Sequence, residues 1–190
     1  MHLAPKPSFR GWSHITAFFA AIALCPILIS SSAHGRVLAA FYSLSVVALF
    51  GVSSLYHGFS WNARAHDLLR RLDHATIFVT IAATYTPISW YLLPRSAAVT
   101  VLLAVWIGAL LGVLVMIFWP TAPQITLITL FIIVGWSALM VIHEFWIALS
   151  TSGFTLLLLG GVFHTIGAIV YGIKKPDPWP TVFGFHEIFH

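Results

Sequence analysis

Long apolar segments separated by short polar links run along almost the whole chain. Each is about 20 residues long, the length that an α-helix needs to cross the hydrocarbon core of a bilayer. A membrane β-barrel would instead show alternating apolar and polar residues in segments of about ten. The pattern therefore predicts membrane-spanning helices at residues 13–32, 37–57, 72–93, 97–119, 124–142 and 153–173, and an incomplete seventh at 182–190.

The links between these spans are polar or rich in proline and glycine. Residues 58–71 are predicted to form a basic loop, and residues 143–152 a mixed loop that rests in the membrane interface. Within span four, the Gly108-x-x-x-Gly112 spacing indicates a closely packed helix face. No internal repeat divides the chain, so we predict a single transmembrane domain over residues 1–190.

The composition agrees with this pattern. The chain has 190 residues, of which 59% are hydrophobic and 7% are charged, whereas a soluble domain has about 25% charged residues. So little polar surface predicts an integral membrane protein, and the fold class is an all-α, polytopic membrane helix bundle with seven spans and the seventh truncated. A single cysteine, Cys25, excludes an internal disulfide and a multi-cysteine metal site.

Basic residues lie at the borders of the spans, which argues against nucleic-acid binding and predicts the orientation of the chain. The basic residues before span one resemble a signal peptide, but the apolar run is too long, and we expect a retained helix. If the N-terminus is cytoplasmic, the cytoplasmic segments hold seven Lys and Arg residues and the outer segments hold two: Lys6, Arg10, Arg64, Arg70, Arg71, Lys174 and Lys175 against Arg36 and Arg95.

This orientation brings candidate metal ligands to one depth on the cytoplasmic side. His186 and His190 are four residues apart, so on a helix both side chains point the same way. His57, at the end of span two, would complete a set of three histidines with an open fourth position, which is the arrangement of catalytic zinc. Asp73 could then act as general base or orient a water molecule, and Ser53 could support a histidine or polarise a substrate carbonyl.

Simpler roles for the same residues remain open at this point. A histidine at a helix end in a membrane often reaches toward the headgroups, and Asp73 could cap span three or pair with Arg70. Ser53 could be a small packing residue. Two further groups are expected to lie away from the site: His14 in a wet position at the membrane border, and Glu187 paired with a basic residue, Lys174 or Arg71.

Four motifs together resemble the hemolysin III family. They are S-x-x-x-H at the end of span two, R-R-L-D-H at 70–74, A-T-Y-T-P at 83–87, and F-G-F-H-E-I-F-H at 183–190. This family is grouped with the adiponectin and progestin receptors, within a superfamily of membrane hydrolases that includes alkaline ceramidases. The resemblance covers nearly the whole chain.

The resemblance implies seven helices, a cytoplasmic N-terminus, and Zn²⁺ held by His57, His186 and His190 with Asp73 and Ser53 beside it. Two features depart from the family pattern. Many relatives carry an acidic residue and an asparagine ahead of the first-span histidine, where this chain has Phe-Arg-Gly-Trp-Ser at 9–13. The seventh helix is also short, since about nine residues rise only about 13 Å.

Three functions follow as hypotheses. The first is a zinc-dependent hydrolase that acts on lipid amide or ester bonds, or in membrane lipid homeostasis, and draws its substrate from the bilayer. The second is a pore-forming cytolysin, although the spans lack a polar stripe that could line a channel. The third is a receptor-like or structural zinc protein without turnover. In each case the expected partners are membrane lipids, and the expected location is the bacterial plasma membrane.

Overall fold

The computed structural model describes residue 7 and residues 9–189, which form an all-α bundle, as predicted. A short 3₁₀ segment, Ser137–Val141, joins the fifth and sixth helices. The α-helices are α1 Trp12–Ser31, α2 Arg36–Gly58, α3 Ala63–Leu92, α4 Arg95–Phe118, α5 Gln124–Gly135, α6 Ile142–Ala148, α7 Thr151–Ile173 and α8 Phe185–Phe189.

Most helices of the described chain have the length and composition of membrane spans. Five segments qualify, namely Trp12–Ser31, Arg36–Gly58, Arg95–Phe118, Gln124–Ala148 and Thr151–Ile173. Their outward surfaces carry large apolar side chains, among them Phe19, Leu103 and Phe163, which is the surface a lipid environment requires. The chain is therefore an integral membrane protein.

Helix α3 is more polar than the others and begins earlier than predicted. It starts at Ala63, so most of the segment predicted as a basic loop is helical. Asn62 caps it by accepting a hydrogen bond of 2.9 Å from the Ala65 N–H, and Asp67 pairs with Arg70 and Arg71 one turn later. The hydrogen bonds from the two arginines lower the pKa of the Asp67 carboxyl, and the one from Arg70 has the larger effect. Local capping and i, i+3 and i, i+4 pairs thus extend the helix beyond its apolar part.

The structure rules out both simple roles suggested for Asp73. Because α3 begins at Ala63, Asp73 lies well inside the helix and cannot cap its first turn. Nor does Arg70 serve as its partner, since the Arg70 guanidinium donates to Asp67 at 2.8 Å. Asp73 is therefore free of the two local roles that its sequence position suggested.

The fifth span also differs from its prediction. Helix α5 ends at Gly135, and after the 3₁₀ turn α6 continues to Ala148, so residues 143–148 of the expected loop are helical. The hydroxyl of Tyr85 lies at this break, where it donates to the Gly135 carbonyl at 2.6 Å and accepts from the Ala138 N–H at 3.1 Å. Tyr85 thereby satisfies backbone groups that the interrupted helix leaves without partners.

The core forms where α3 and α4 pack against α5. Phe78 and Phe131 stack with ring centroids 4.3 Å apart, and both are almost fully buried. A Cβ at Gly112 would lie 2.5 Å from the Phe78 ring, and one at Gly108 would lie 2.6 Å from Val134. Both glycines are therefore required for close approach, which confirms the packing role predicted for this pair.

Candidate metal centre

Three of the predicted site residues meet at one end of the bundle. His57 lies in the last turn of α2, Asp73 on α3 and His186 on the short helix α8. The Nε2 atoms of His57 and His186 are 3.4 Å apart, and the Asp73 Oδ2 lies 3.5 Å from the same His57 nitrogen. Ser53, one turn before His57, faces the Asp73 carboxylate.

Burial excludes the simplest role for the histidine on α2. His57 is only 7% exposed and Asp73 only 4%, so the imidazole does not extend toward the headgroups. A buried ionisable pair is costly unless its members interact with each other or with a bound ion. The arrangement of the two side chains is therefore typical of a functional centre.

The spacing of the two described histidine nitrogens, one from His57 and one from His186, fits a zinc ion. Two nitrogens bound at 2.0–2.1 Å to a tetrahedral zinc lie about 3.3 to 3.4 Å from each other, and the two Nε2 atoms of His57 and His186 lie 3.4 Å apart. The same distance also allows a hydrogen bond in which one Nε2–H donates to the other nitrogen. The chemistry and spacing of these two donors are compatible with zinc.

The third predicted ligand, His190, lies outside the described residues. Among residue 7 and residues 9–189, no three His, Cys, Asp or Glu side chains form a group that could hold a metal. The Zn²⁺ site of three histidines therefore stays a prediction, and the structure describes two of its ligands, His57 and His186. The side chains that it does describe converge from helices far apart in the chain.

His14 belongs to this cluster, although the sequence pattern pointed elsewhere. Its expected wet position at the membrane border is wrong, because the residue is 6% exposed. Its ring stacks on that of His57 with centroids 5.3 Å apart and planes inclined by 22°. A signal was present in the sequence: with a cytoplasmic N-terminus, the start of span one has the same depth as the end of span two.

The predicted partners of Glu187 are also wrong. Its carboxylate binds Arg10, with 2.8 Å between Arg10 Nε and Glu187 Oε1, rather than Lys174 or Arg71. The other carboxylate oxygen accepts a hydrogen bond of 2.8 Å from the Gly184 N–H. An ion pair between the two ends of the chain thus adjoins His186.

His74, for which no function was predicted, lies beside the site and contacts α7. Its Nδ1 is 2.8 Å from the Arg70 carbonyl oxygen, and its Nε2 is 3.4 Å from the Tyr171 hydroxyl. The Tyr171 ring packs against Phe189, with centroids 4.8 Å apart. These contacts connect α3 and α7 to α8, and they help to enclose the cluster.

A family model and two known proteins match most of the chain. A sequence model of the family described as "Haemolysin-III related" matches residues 3–190. A protein named "Hemolysin-3 homolog" from Bacillus subtilis (strain 168) is 32% identical over 134 residues, which are 70% of this chain and 62% of that protein. One named "Hemolysin-3" from Bacillus cereus is 32% identical over 165 residues, 85% of this chain and 75% of that protein. The matched part thus covers less than two thirds of the Bacillus subtilis protein, and no solved structure matches the chain.

Proposed function

Since this chain belongs to the Haemolysin-III-related family of membrane proteins, we propose that it is a zinc-dependent hydrolase of lipid amide or ester bonds. One observation carries the proposal: the Nε2 atoms of His57 and His186 meet 3.4 Å apart, with the carboxylate of Asp73 beside them. Few structural roles require two imidazoles and a carboxylate to be buried together in a membrane helix bundle.

The proposed ligands are His57, His186 and His190. A bound Zn²⁺ would lower the pKa of a water molecule to about 7 and polarise the substrate carbonyl. Three protein ligands leave a fourth position for water or substrate, which distinguishes a catalytic site from a closed structural one.

Asp73 is the proposed general base. Its Oδ2, 3.5 Å from His57 Nε2, can accept a hydrogen bond from a water molecule beside the histidines and so orient it toward a carbonyl carbon. The carboxylate would take the proton of that water and deliver it to the departing amine or alcohol. Ser53 faces the carboxylate and would keep its orientation.

Membrane lipids are the proposed substrates because the site lies in an integral membrane protein, near the ends of its helices. With the N-terminus in the cytoplasm, as the distribution of basic residues predicts, the site would act on the cytoplasmic leaflet. Water could then enter from the cytoplasm, while the acyl chains of the substrate stay in the bilayer.

The first experiment measures zinc per chain in detergent for the parent protein, for His57→Ala and for His143→Ala. His143 is an exposed histidine on α6, so its substitution controls for the loss of any imidazole. The expected result is nearly one zinc in the parent and in His143→Ala, and almost none in His57→Ala. A parent protein without zinc would overturn the proposal.

The second experiment tests turnover with zinc-loaded protein. Phospholipid and ceramide vesicles are incubated with the parent and with Asp73→Asn, and released fatty acid is quantified by mass spectrometry. Release by the parent alone is expected. Bound zinc without release from any lipid class would favour a receptor-like or structural zinc protein instead.

A second candidate, membrane lysis, is favoured by the name of the Bacillus cereus relative, "Hemolysin-3". Liposomes loaded with a self-quenching dye distinguish it from hydrolysis. Dye release by purified Asp73→Asn protein would support lysis, since a pore does not need the general base. Vesicles that stay sealed would exclude this candidate.

A further inference from the structure

Helix α8 carries His186 but is too short to hold its own position. It contains five residues, Phe185–Phe189, whereas isolated helices shorter than about 12 to 15 residues are marginal in water. The position of His186 therefore depends on tertiary contacts of α8, some with α7 and some with the other end of the chain.

The carboxylate of Glu187 makes one of these tertiary contacts and one local contact. Its Oε1 lies 2.8 Å from Arg10 Nε, and its Oε2 accepts from the Gly184 N–H at 2.8 Å. The Glu187 side chain is 4% exposed and that of Arg10 is 23% exposed. One carboxylate thus joins the first turn of α8 to the segment that precedes α1.

A backbone hydrogen bond reinforces the same junction. The Phe9 N–H donates to the Val182 carbonyl at 3.2 Å, so the segment before α1 is paired with the chain just before α8. This places two independent contacts, one ionic and one through the backbone, between residues 9–10 and residues 182–187.

The same N-terminal segment also contacts the helix that carries His57. Gly11 has φ 90°, and a Cβ at this position would lie 3.0 Å from the Gly58 nitrogen. Three residues later, His14 stacks on the His57 ring. Residues 9–14 therefore touch both chain segments whose histidines meet at the site.

We propose that Arg10 is a positioning residue: its ion pair with Glu187 holds α8 in the orientation in which His186 reaches His57. The effect of Arg10 on catalysis rests on the proposed function, whereas its effect on the position of His186 does not. Removing Arg10 would leave the Glu187 carboxylate buried and without its cationic partner, which is strongly destabilising for a buried pair. Helix α8 would move to expose the carboxylate, and His186 would leave its place beside His57.

The other contacts of α8 come from α7 and from the link that precedes α8. The Asp177 Oδ1 accepts from the Phe185 N–H at 3.0 Å, and the Tyr171 ring packs against Phe189. Tyr171 also contacts the His186 ring, with centroids 6.4 Å apart, whereas the Arg10–Glu187 pair is the ionic contact of the residue next to His186. Without the Arg10 pair, we expect the His186 side chain to turn away from His57 while α8 stays packed against α7.

The position of His186 can be tested without any metal. In a Cys25→Ser background, cysteines replace His57 and His186, and dibromobimane, which fluoresces when it bridges two nearby thiols, reports their proximity. Bridging is expected with Arg10 and with Arg10→Lys, and a loss of at least fivefold is expected with Arg10→Ala. Equal bridging with Arg10→Ala would overturn the proposal whether or not the protein binds zinc.

Metal binding then tests the consequence at the site. The visible spectrum of added Co²⁺, which is sensitive to ligand number and geometry, is titrated for the parent, Arg10→Ala, Arg10→Lys and the double exchange Arg10→Glu with Glu187→Arg. We expect Arg10→Ala to weaken Co²⁺ binding by about 10- to 100-fold, with recovery in Arg10→Lys and partial recovery in the double exchange. Arg64→Ala removes an exposed arginine at the start of α3 and is the matched control.

The outcomes separate the two proposals. A parent protein that binds neither Zn²⁺ nor Co²⁺ but still shows Arg10-dependent bridging contradicts the hydrolase and supports the positioning role. A parent that binds metal, with the same affinity and spectrum in Arg10→Ala, contradicts the positioning role alone. If Arg10→Ala does not fold, the comparison of Arg10→Lys with the double exchange still decides, because no recovery in either would contradict an ion-pair role.

Discussion

The Nε2 atoms of His57 and His186 lie 3.4 Å apart although 129 positions separate the two residues in the chain. One ends a long membrane helix and the other lies on a helix of five residues. Asp73 and His14 both lie beside the His57 imidazole.

Asp73→Asn should separate metal binding from chemistry. The amide keeps the shape of the carboxylate but cannot accept a proton from water, so turnover should fall by about 10²- to 10⁴-fold. Zinc content should stay within about twofold of the parent, because the three histidines are intact. Single-turnover lipid hydrolysis and metal analysis of one sample measure both; a parallel loss of zinc and activity would instead make Asp73 a metal ligand.

His14 should stabilise the protein by stacking on the face of the His57 ring. His14→Ala removes the stacked ring 5.3 Å away and should lower the free energy of unfolding by about 1 kcal/mol, a typical value for an aromatic pair. His14→Phe keeps a flat ring and should retain most of that stability and of the zinc. If His14→Phe loses zinc as fully as His57→Ala, then the His14 nitrogen rather than its ring surface matters.

Gly112→Ala should destabilise the core. A Cβ there would lie 2.5 Å from three atoms of the Phe78 ring, and overpacking of this kind costs about 1 to 3 kcal/mol. Gly160→Ala is the matched control, since nothing lies within 4 Å of a Cβ at Gly160. Thermal unfolding in one detergent should show a lower midpoint for Gly112→Ala only, and equal midpoints would contradict the close α3–α4 packing.

Tyr85→Phe should weaken the junction between α5 and the 3₁₀ segment. The phenol hydroxyl serves both the Gly135 carbonyl and the Ala138 N–H, and leaving buried backbone groups unsatisfied costs about 1 to 3 kcal/mol. Tyr91→Phe, at a side chain that is 49% exposed, should change stability little. Hydrogen exchange of the backbone around residue 138 should rise in Tyr85→Phe alone, and unchanged exchange would contradict this role.

The spans could be predicted from the sequence because continuous apolar segments of membrane length are a strong local signal. The extra turns of α3 were missed, since Asn62, Asp67 and the two arginines have the composition of a loop although their spacing stabilises a helix. The break after Gly135 was missed as well. It depends on the Tyr85 hydroxyl, which lies 50 positions earlier in the chain.

For the site, the order of the spans was enough to predict that His57, Asp73 and His186 share one depth. Which side chains meet depends on the tertiary structure, which stacks His14 on His57 and pairs Arg10 with Glu187. The physical reason is that a membrane helix is apolar on nearly all its faces, so its sequence pattern gives its depth but hardly its rotation. Rotation follows from packing against neighbouring helices, and that packing places these side chains within reach of each other.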